Sequence, residues 1–197
     1  MKRVSVIGGS STGKTTVSRE LASLLGVPHI ELDALHHDAG WQEAPADVLQ
    51  ARVDAALAAA PDGWVVDGNY HGKLGTYVLE RADTVVFLDL PLRTALRRVT
   101  WRTLRRSITR EELWNGNRES FRIAFSRDSI VWWVIRNHGS HRKKWPERVA
   151  PLTHLQVIRL RSAGEVRDWL QSIQATDSMS GSSKGSELQK TPPFVET

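Results

Sequence analysis

Residues 8–15 of the chain, GGSSTGKT, have the residue types and the spacing of a phosphate-binding loop, G-x-x-x-x-G-K-[ST]. Gly8 and Gly13 allow backbone conformations in which successive N–H groups point at one anion. Lys14 supplies a positive charge for the β- and γ-phosphates of a nucleotide, and the hydroxyl of Thr15 is a ligand for Mg²⁺. The spacing therefore predicts binding of a nucleoside triphosphate together with Mg²⁺.

The segments on either side of this loop are the ones that such a loop requires. The β-branched run at 2–8 predicts a buried strand, and apolar residues at helical spacing from 15 to 25 predict a helix that ends at Gly26. That helix would present its positive N-terminal end to the same phosphates. The predicted nucleotide-binding residues of this unit are Gly8, Gly9, Ser10, Ser11, Thr12, Gly13, Lys14, Thr15 and Thr16.

Strands alternate with helices along the chain. Further strands are predicted at 27–33, 64–70, 84–90 and 153–160, and helices at 46–60, 72–81, 91–106, 118–137, 142–150 and 163–173. This alternation predicts an α/β fold with a three-layer parallel sheet, forming one domain over 1–175 with a helical insertion at about 91–150. The Ser-, Gly- and Pro-rich residues 176–197 are predicted to be a disordered tail.

Composition excludes several classes of protein. The 197 residues include no cysteine, so neither a disulfide framework nor a thiolate metal site can form. No apolar run approaches the roughly 20 residues that a membrane span needs, and the first strand begins without a preceding signal segment. We therefore expect a cytoplasmic protein with no membrane partner.

The net charge of +5 is concentrated in one segment. Residues 91–148 hold 15 Lys or Arg against 5 Asp or Glu, and five of the eight tryptophans. A basic, aromatic segment is typical either of nucleic-acid binding or of an arginine-rich lid that neutralises a transferring phosphate. The phosphate-binding loop favours the lid. Among its arginines, Arg102 and Arg118 are our candidates for catalysis.

Ligands of parallel sheets bind at the carboxyl ends of the strands, where Gly8, Asp33, Asp67 and Arg161 are all predicted to lie. Asp67 could hold Mg²⁺ through water and orient the attacking hydroxyl, or it could cap the next turn. Arg161 follows the last strand and is added to the nucleotide-binding residues. Asp89 precedes a Leu-Pro helix start, which favours a capping role.

Asp33 is the candidate carboxylate on the acceptor side, with His36, His37 and Trp41 close behind it. An Asp with two adjacent His could also suggest a metal site, but no further ligands follow at a suitable spacing, and a role in loop structure is the third alternative. Asn69, two residues after Asp67, is the second predicted substrate contact.

Four segments together resemble a known family: GGSSTGKTT, the LD-x-L-x(5)-W pattern at 32–41, WVVDGNY at 64–70 and RADTVVFLDLP at 81–91. They are similar to the adenylate-kinase-related P-loop proteins called topology modulation (FlaR-like) proteins. The resemblance covers about residues 2–160. It implies the nucleoside-monophosphate-kinase fold with strand order 2-3-1-4-5, and a lid that closes over ATP.

The resemblance also bears on the acceptor. Asp67-Gly68 matches the Asp-Gly of the monophosphate kinases, but their following Phe-Pro-Arg is replaced here by Asn69-Tyr70-His71. The missing arginine is the one that grips an acceptor phosphate in those kinases. Asp33 stands where shikimate-kinase-like enzymes place an acceptor-binding carboxylate. We therefore expect an acceptor that carries hydroxyls, with Asp33 and Asn69 contacting it.

The resulting expectation is an ATP-dependent phosphotransferase, with ATP and Mg²⁺ as cofactors and a nucleoside, nucleotide or metabolite as acceptor. The alternative is a regulatory ATPase that binds nucleotides and uses its basic segment on nucleic acid. No helix-turn-helix and no Asn-Lys-x-Asp guanine motif occurs in the sequence, which argues against a DNA-reading module and a GTPase.

Overall fold

The computed structural model describes residues 1–109, 112, 114–117 and 130–184. Its centre is a parallel five-stranded sheet. The strands are β1 Arg3–Gly8, β2 His29–Glu31, β3 Trp64–Asp67, β4 Thr84–Leu88 and β5 Gln156–Leu160. Because β3 and β4 are buried along their whole length, they are apolar almost throughout, as strands covered on both faces must be. The predicted α/β fold with a parallel sheet is confirmed.

The spatial order of these strands is β2-β3-β1-β4-β5. This is the 2-3-1-4-5 order that the family resemblance implied. The fold differs from this expectation in one detail. Between β2 and β3 the chain forms a separate two-stranded antiparallel hairpin, in which His37–Asp38 pairs with Gln42–Glu43. In this order β1, with the phosphate-binding loop at its carboxyl end, lies between β3 and β4.

Eight described helices surround the sheet. They are α1 Lys14–Leu25, α2 Leu32–His36, α3 Ala46–Ala58, α4 His71–Leu74, α5 Tyr77–Arg81, α6 Leu92–Thr109, α7 Ile130–Val149 and α8 Ala163–Lys184. Short 3₁₀ turns occur at Ala39–Trp41 and Trp114–Gly116. None of the helices described is long and apolar enough to cross a membrane.

The two faces of the sheet form separate cores. Val4 and Val6 of β1 pack with Val17 and Leu21 of α1 on one face. Ile7 of β1 faces the other way, where α3, α5 and the buried Trp145 of α7 cover the sheet. The alternation along β1 follows from the two-residue period of a strand, and it gives the three layers that the sequence predicted.

Two predicted boundaries are wrong in ways that matter for the site. The strand predicted at 27–33 ends at Glu31, so that Asp33 lies in the one-turn helix α2 and not at a strand end. The helix predicted at 72–81 is divided into α4 and α5, because Gly75 between them has φ +53°, which a continuing helix cannot accommodate.

The predicted break around 138–140 is also wrong, since α7 continues through it and through Pro146. An internal Gly costs a helix about 1 kcal/mol and a Pro more, but burial of Trp145 and Val149 in the core and of Val134 against α6 offsets this. Part of the predicted helix at 118–137, residues 118–129, lies outside the described residues. At the other end, α8 continues past the predicted boundary at 175 as far as Lys184, so residues 176–184 are helical where the sequence predicted disorder. Disorder of 185–197, which lie outside the described residues, stays a prediction.

Candidate functional site

The phosphate-binding loop joins β1 to α1 as the sequence predicted. Gly13, the residue before α1, has φ +96°, a left-handed conformation that favours glycine, and no side chain caps the helix. The first amides of α1 therefore have no partner within the helix and point toward the loop. No acidic residue lies in the first turn of α1. This end of the helix is suited to binding an anion such as a nucleotide phosphate.

Lys14 folds back across this loop. Its Nζ donates hydrogen bonds to the carbonyl oxygens of Gly8 at 3.2 Å and Gly9 at 3.1 Å. Burial lowers the pKa of Lys14, and the carboxylates of Asp33, then Asp67, act against this shift. The structure thus brings the predicted phosphate-binding lysine together with the two aspartates that the sequence assigned to the acceptor and the metal.

Asp67 lies at the carboxyl end of β3, next to β1 and β2. It is buried, its Oδ1 lies 3.6 Å from His29 Nε2, and within the described part of the chain its Oδ2 has no hydrogen-bond partner. The residue before α4 is Tyr70, and no side chain caps this helix, so the alternative role of Asp67 as a cap gains no support. A buried carboxylate oxygen without a donor is what a hydrated cation would require.

Glu31 is a site residue that the sequence analysis missed. It pairs with Asp67 across β2 and β3, so the two carboxylates project from the same face of the sheet. The hydroxyl of Thr15 donates to Glu31 Oε1 at 3.3 Å. The available signal was its position at the end of β2, but the predicted strand extended past it to Asp33.

These groups fit a Mg²⁺ ion that is bound partly by water and by nucleotide phosphates. Thr15, Glu31 and Asp67 provide oxygen ligands, the kind that Mg²⁺ prefers. Among the described residues no group of three or more His, Cys, Asp or Glu could hold a metal ion by itself. The metal alternative for Asp33, His36 and His37 therefore gains no support from the structure.

Asn69 contacts the phosphate-binding loop. Its Oδ1 accepts a hydrogen bond from Gly8 N at 3.3 Å, and its Nδ2 donates to Gly8 O. Both ends of the amide are therefore held by the backbone of one loop residue. The predicted contact between Asn69 and the acceptor stays a prediction, while its contact with the loop is direct.

Two arginines of α6 lie near the loop. Arg98 Nη1 donates to the carbonyl oxygen of Thr12 at 2.6 Å, which places this guanidinium next to Gly13. The positive charge of Arg102 adds to the lowering of the Lys14 pKa, so Arg102 also lies near the loop lysine. Arg118, the other predicted catalytic arginine, lies outside the described residues.

Asp89 and Arg161 directly follow β4 and β5. Arg161 is exposed, and its backbone N donates to Glu165 Oε2 at 2.8 Å, so its contact with a nucleotide stays a prediction. Asp89 is buried and accepts bonds from Arg159 Nη2 at 2.6 Å and Nε at 3.0 Å. This ion pair joins the end of β4 to β5, and the predicted role of Asp89 as a helix cap stays a prediction.

Asp33 is held by a residue from the end of β3. Tyr70 donates its hydroxyl proton to Asp33 Oδ1 at 2.6 Å, and the same hydroxyl lies 3.4 Å from His37 Nε2. Burial, and after it the charge of Asp33, raises the pKa of Tyr70 well above its ordinary value. Tyr70 therefore stays protonated and keeps Oδ1 of Asp33 hydrogen-bonded, which fixes the direction of this carboxylate.

His36 is buried next to this pair, with its Nε2 3.5 Å from Glu43 Oε2. Burial lowers the pKa of His36, and the nearby charge of Lys73 lowers it further. Lys73 is itself bound to Glu43 at 3.0 Å and to the carbonyl oxygen of Ala44 at 2.8 Å. His36 is thus a neutral packing residue at physiological pH and not a cationic group for the acceptor.

Fold and loop together define a P-loop protein of the α/β class. No family model matches the chain, and no curated protein sequence matches it. The chain is similar to a solved structure of shikimate kinase from Acinetobacter baumannii in complex with shikimate, at 18% identity and a TM-score of 0.51, covering 91% of this chain and 94% of that one. A shikimate kinase from Bacteroides thetaiotaomicron matches at 16% identity with a TM-score of 0.47, over 89% and 97% of the two chains. The Acinetobacter structure shows that the chain shares the fold of that protein.

Proposed function

We propose that the protein is an ATP-dependent kinase that phosphorylates a hydroxyl group of a small acceptor. The observation that carries this proposal is the convergence on Lys14: the same side chain lies in the phosphate-binding loop and within the electrostatic influence of Asp33 and Asp67. A loop for the phosphates of the donor and a carboxylate for the hydroxyl of the acceptor thus lie next to each other, as phosphoryl transfer requires.

In the proposed reaction a hydroxyl oxygen of the acceptor forms a bond to the γ-phosphorus of ATP. The bond from that phosphorus to the β–γ bridging oxygen breaks, ADP leaves, and the hydroxyl proton passes to Asp33. Tyr70 holds one oxygen of Asp33, which leaves the other to accept the hydrogen bond of the hydroxyl. Lys14, Arg98 and Arg102 lie where negative charge on the transferring phosphate develops.

Thr15 and, through water, Asp67 and Glu31 would hold the Mg²⁺ ion that P-loop kinases use. Such an ion supplies charge neutralisation for the β- and γ-phosphates. Membership of the topology modulation (FlaR-like) proteins is part of the same proposal, supported by the four sequence segments that resemble that group.

A screen of nucleosides, nucleotides and small hydroxylated metabolites for ADP release from ATP tests this function. We expect at least one acceptor to stimulate ADP release, and Lys14→Ala to abolish both this activity and tight ATP binding with no change in the circular dichroism spectrum. Lys2→Ala, an exposed lysine near the opposite end of β1, is the matched control. Unchanged ATP affinity in Lys14→Ala would contradict the nucleotide site itself.

The same screen distinguishes an ATP-dependent kinase from the alternative function, a regulatory ATPase. A regulatory ATPase would release ADP slowly whatever small acceptor is added, and would respond to added DNA or RNA.

A further inference from the structure

Next to Asp33 lies a group of aromatic side chains that we call the aromatic wall: His37, Trp41, Tyr70 and Trp114. The ring of His37 is stacked with that of Trp114, with centroids 6.0 Å apart and an interplanar angle of 24°. Trp41 meets the same His37 edge-on at 5.5 Å. Since His37 also lies against the Tyr70 hydroxyl that holds Asp33, the wall continues directly from the acceptor carboxylate.

Hydrogen bonds from Asn115 and Asn117 hold the wall in place. Trp41 has φ +60°, a conformation that is unusual for a bulky residue and that persists only where the surrounding structure fixes it. The buried Asn117 fixes it, since its Oδ1 accepts from Trp41 N at 2.8 Å and its Nδ2 donates to Asp38 O at 2.9 Å. Asn115 donates to His37 O and so holds the segment of Trp114 against the hairpin. Trp41 is 38% exposed.

Two cations near the wall, Arg52 and Lys73, form ion pairs with carboxylates. Arg52 makes a two-fold contact with Asp38, at 3.0 and 3.2 Å, and donates to Leu35 O at 2.8 Å. Lys73 is bound to Glu43 and to a backbone carbonyl. Asp33 contributes a negative charge, and its Oδ2 accepts no hydrogen bond from the described residues. An acceptor that carried a phosphate or carboxylate next to Asp33 would meet like charge, and Arg52 and Lys73 already have carboxylate partners.

We propose that the aromatic wall binds the flat ring of the acceptor, and that the acceptor is an uncharged nucleoside whose sugar hydroxyl is held by Asp33. This inference rests on the proposed kinase function and names its substrate class. Base rings stack on aromatic side chains without a charge requirement, and sugar hydroxyls donate to a carboxylate, so the wall and Asp33 match the two parts of a nucleoside.

The test is direct binding to the full chain, saturated with Mg²⁺ and a non-hydrolysable ATP analogue so that the ATP site is filled. Adenosine, guanosine, cytidine and uridine are compared by calorimetry with their 5′-monophosphates and with shikimate, an anionic hydroxylated acid. We expect at least one nucleoside to bind about tenfold or more tightly than its own monophosphate and than shikimate, because the anions must overcome Asp33.

Variants of the wall test the stacking separately. Trp114→Leu should weaken nucleoside binding about tenfold or more, and Trp114→Phe should retain most of it. Trp101→Leu on α6, a tryptophan that is 69% exposed and not part of the wall, should leave nucleoside binding unchanged. All three should bind the ATP analogue as the unmodified protein does. If Trp114→Leu does not fold, the comparison of nucleosides with their monophosphates still tests the inference, because it uses the unmodified chain.

Tighter binding of a monophosphate or of shikimate, or equal effects of Trp114→Leu and Trp101→Leu, would overturn the inference. Loss of ATP binding altogether would instead refute the proposed function. Binding of ATP without binding of any nucleoside would refute the substrate class alone.

Discussion

Replacing Asn69 with alanine tests how the end of β3 controls the phosphate-binding loop. The amide of Asn69 binds both the N–H and the carbonyl of Gly8, and that carbonyl also accepts a bond from Lys14 at 3.2 Å. Asn69 is therefore one hydrogen bond away from the lysine that is expected to bind the phosphates. Removing the amide should loosen the loop at its first residue while leaving the sheet intact.

The size of the effect follows from the two bonds that are lost. Each partly buried hydrogen bond contributes about 0.5–1.5 kcal/mol net, so the pair contributes about 2 kcal/mol. In a domain of this size that corresponds to a fall in Tm of about 4–8 °C. If the loss acts on the population of the binding-competent loop, ATP affinity falls by up to about 30-fold.

Calorimetry with ATP-Mg²⁺ and thermal unfolding measure the two quantities on the same samples. Asn69→Asp is the sharper second variant, because it keeps an acceptor for Gly8 N but turns a second oxygen toward Gly8 O. Gln171→Ala, an exposed amide on α8, is the matched control and should change neither quantity.

Asn69 was also predicted from the sequence to contact the acceptor, and the same variant separates the two roles. If Asn69 acts through its contact with the loop, Asn69→Ala should bind ATP more weakly and show little change in the KM of the acceptor. An unchanged ATP affinity together with a raised acceptor KM would refute the reasoning from the Gly8 contacts and support the acceptor role.

Four further results are expected. Gly13→Ala should weaken ATP binding and destabilise the fold by about 1–2 kcal/mol in urea, because the left-handed φ of +96° disfavours a Cβ, which would also lie 2.9 Å from Arg98 Nη1. Asp33→Asn should raise the acceptor KM and lower kcat while calorimetry finds ATP affinity unchanged. Because burial lowers the pKa of His36 from 6.5, the unfolded chain takes up the proton first, so the free energy of unfolding should fall below about pH 6.5, and His36→Phe should flatten that dependence. Binding of the basic segment 91–148 to DNA should be weak and should fall steeply with salt; tight sequence-selective binding would contradict the lid.

The phosphate-binding loop and the sheet could be predicted because both are local in sequence. An eight-residue pattern fixes the loop, and runs of β-branched residues fix the strands that flank it. The prediction failed at the end of β2. Glu31 and Asp33 are only two positions apart, and the apolar pattern cannot decide which of them ends the strand. Glu31 accepts a hydrogen bond from Thr15, on the side proposed to bind Mg²⁺, and Asp33 accepts one from Tyr70, on the side proposed to bind the acceptor. The two-residue error in the strand end therefore concerned two carboxylates with different proposed roles.

The aromatic wall could not be predicted, because its contacts join distant parts of the chain. Asn115 reaches His37 across 78 positions, and Asn117 reaches Trp41 across 76. Nothing in the spacing of tryptophans or asparagines indicates such pairing. The break expected at 138–140 was wrong for a related reason: local Gly and Ser residues disfavour helix, but packing of Trp145 in the core determines the outcome.

The end of β3 explains how this chain differs from the monophosphate kinases it resembles in sequence. Gly68 there has φ +136°, and a Cβ on it would lie 2.7 Å from Leu32 Cβ, so only glycine fits where the backbone approaches α2. Asn69 turns to the donor side and holds Gly8, whereas Tyr70 turns to the acceptor side and holds Asp33. Where those kinases place an arginine for an acceptor phosphate, this chain has a loop contact and a fixed carboxylate. Since a carboxylate favours a hydroxyl donor over an anion, the motif at this position agrees with the proposed hydroxylated acceptor.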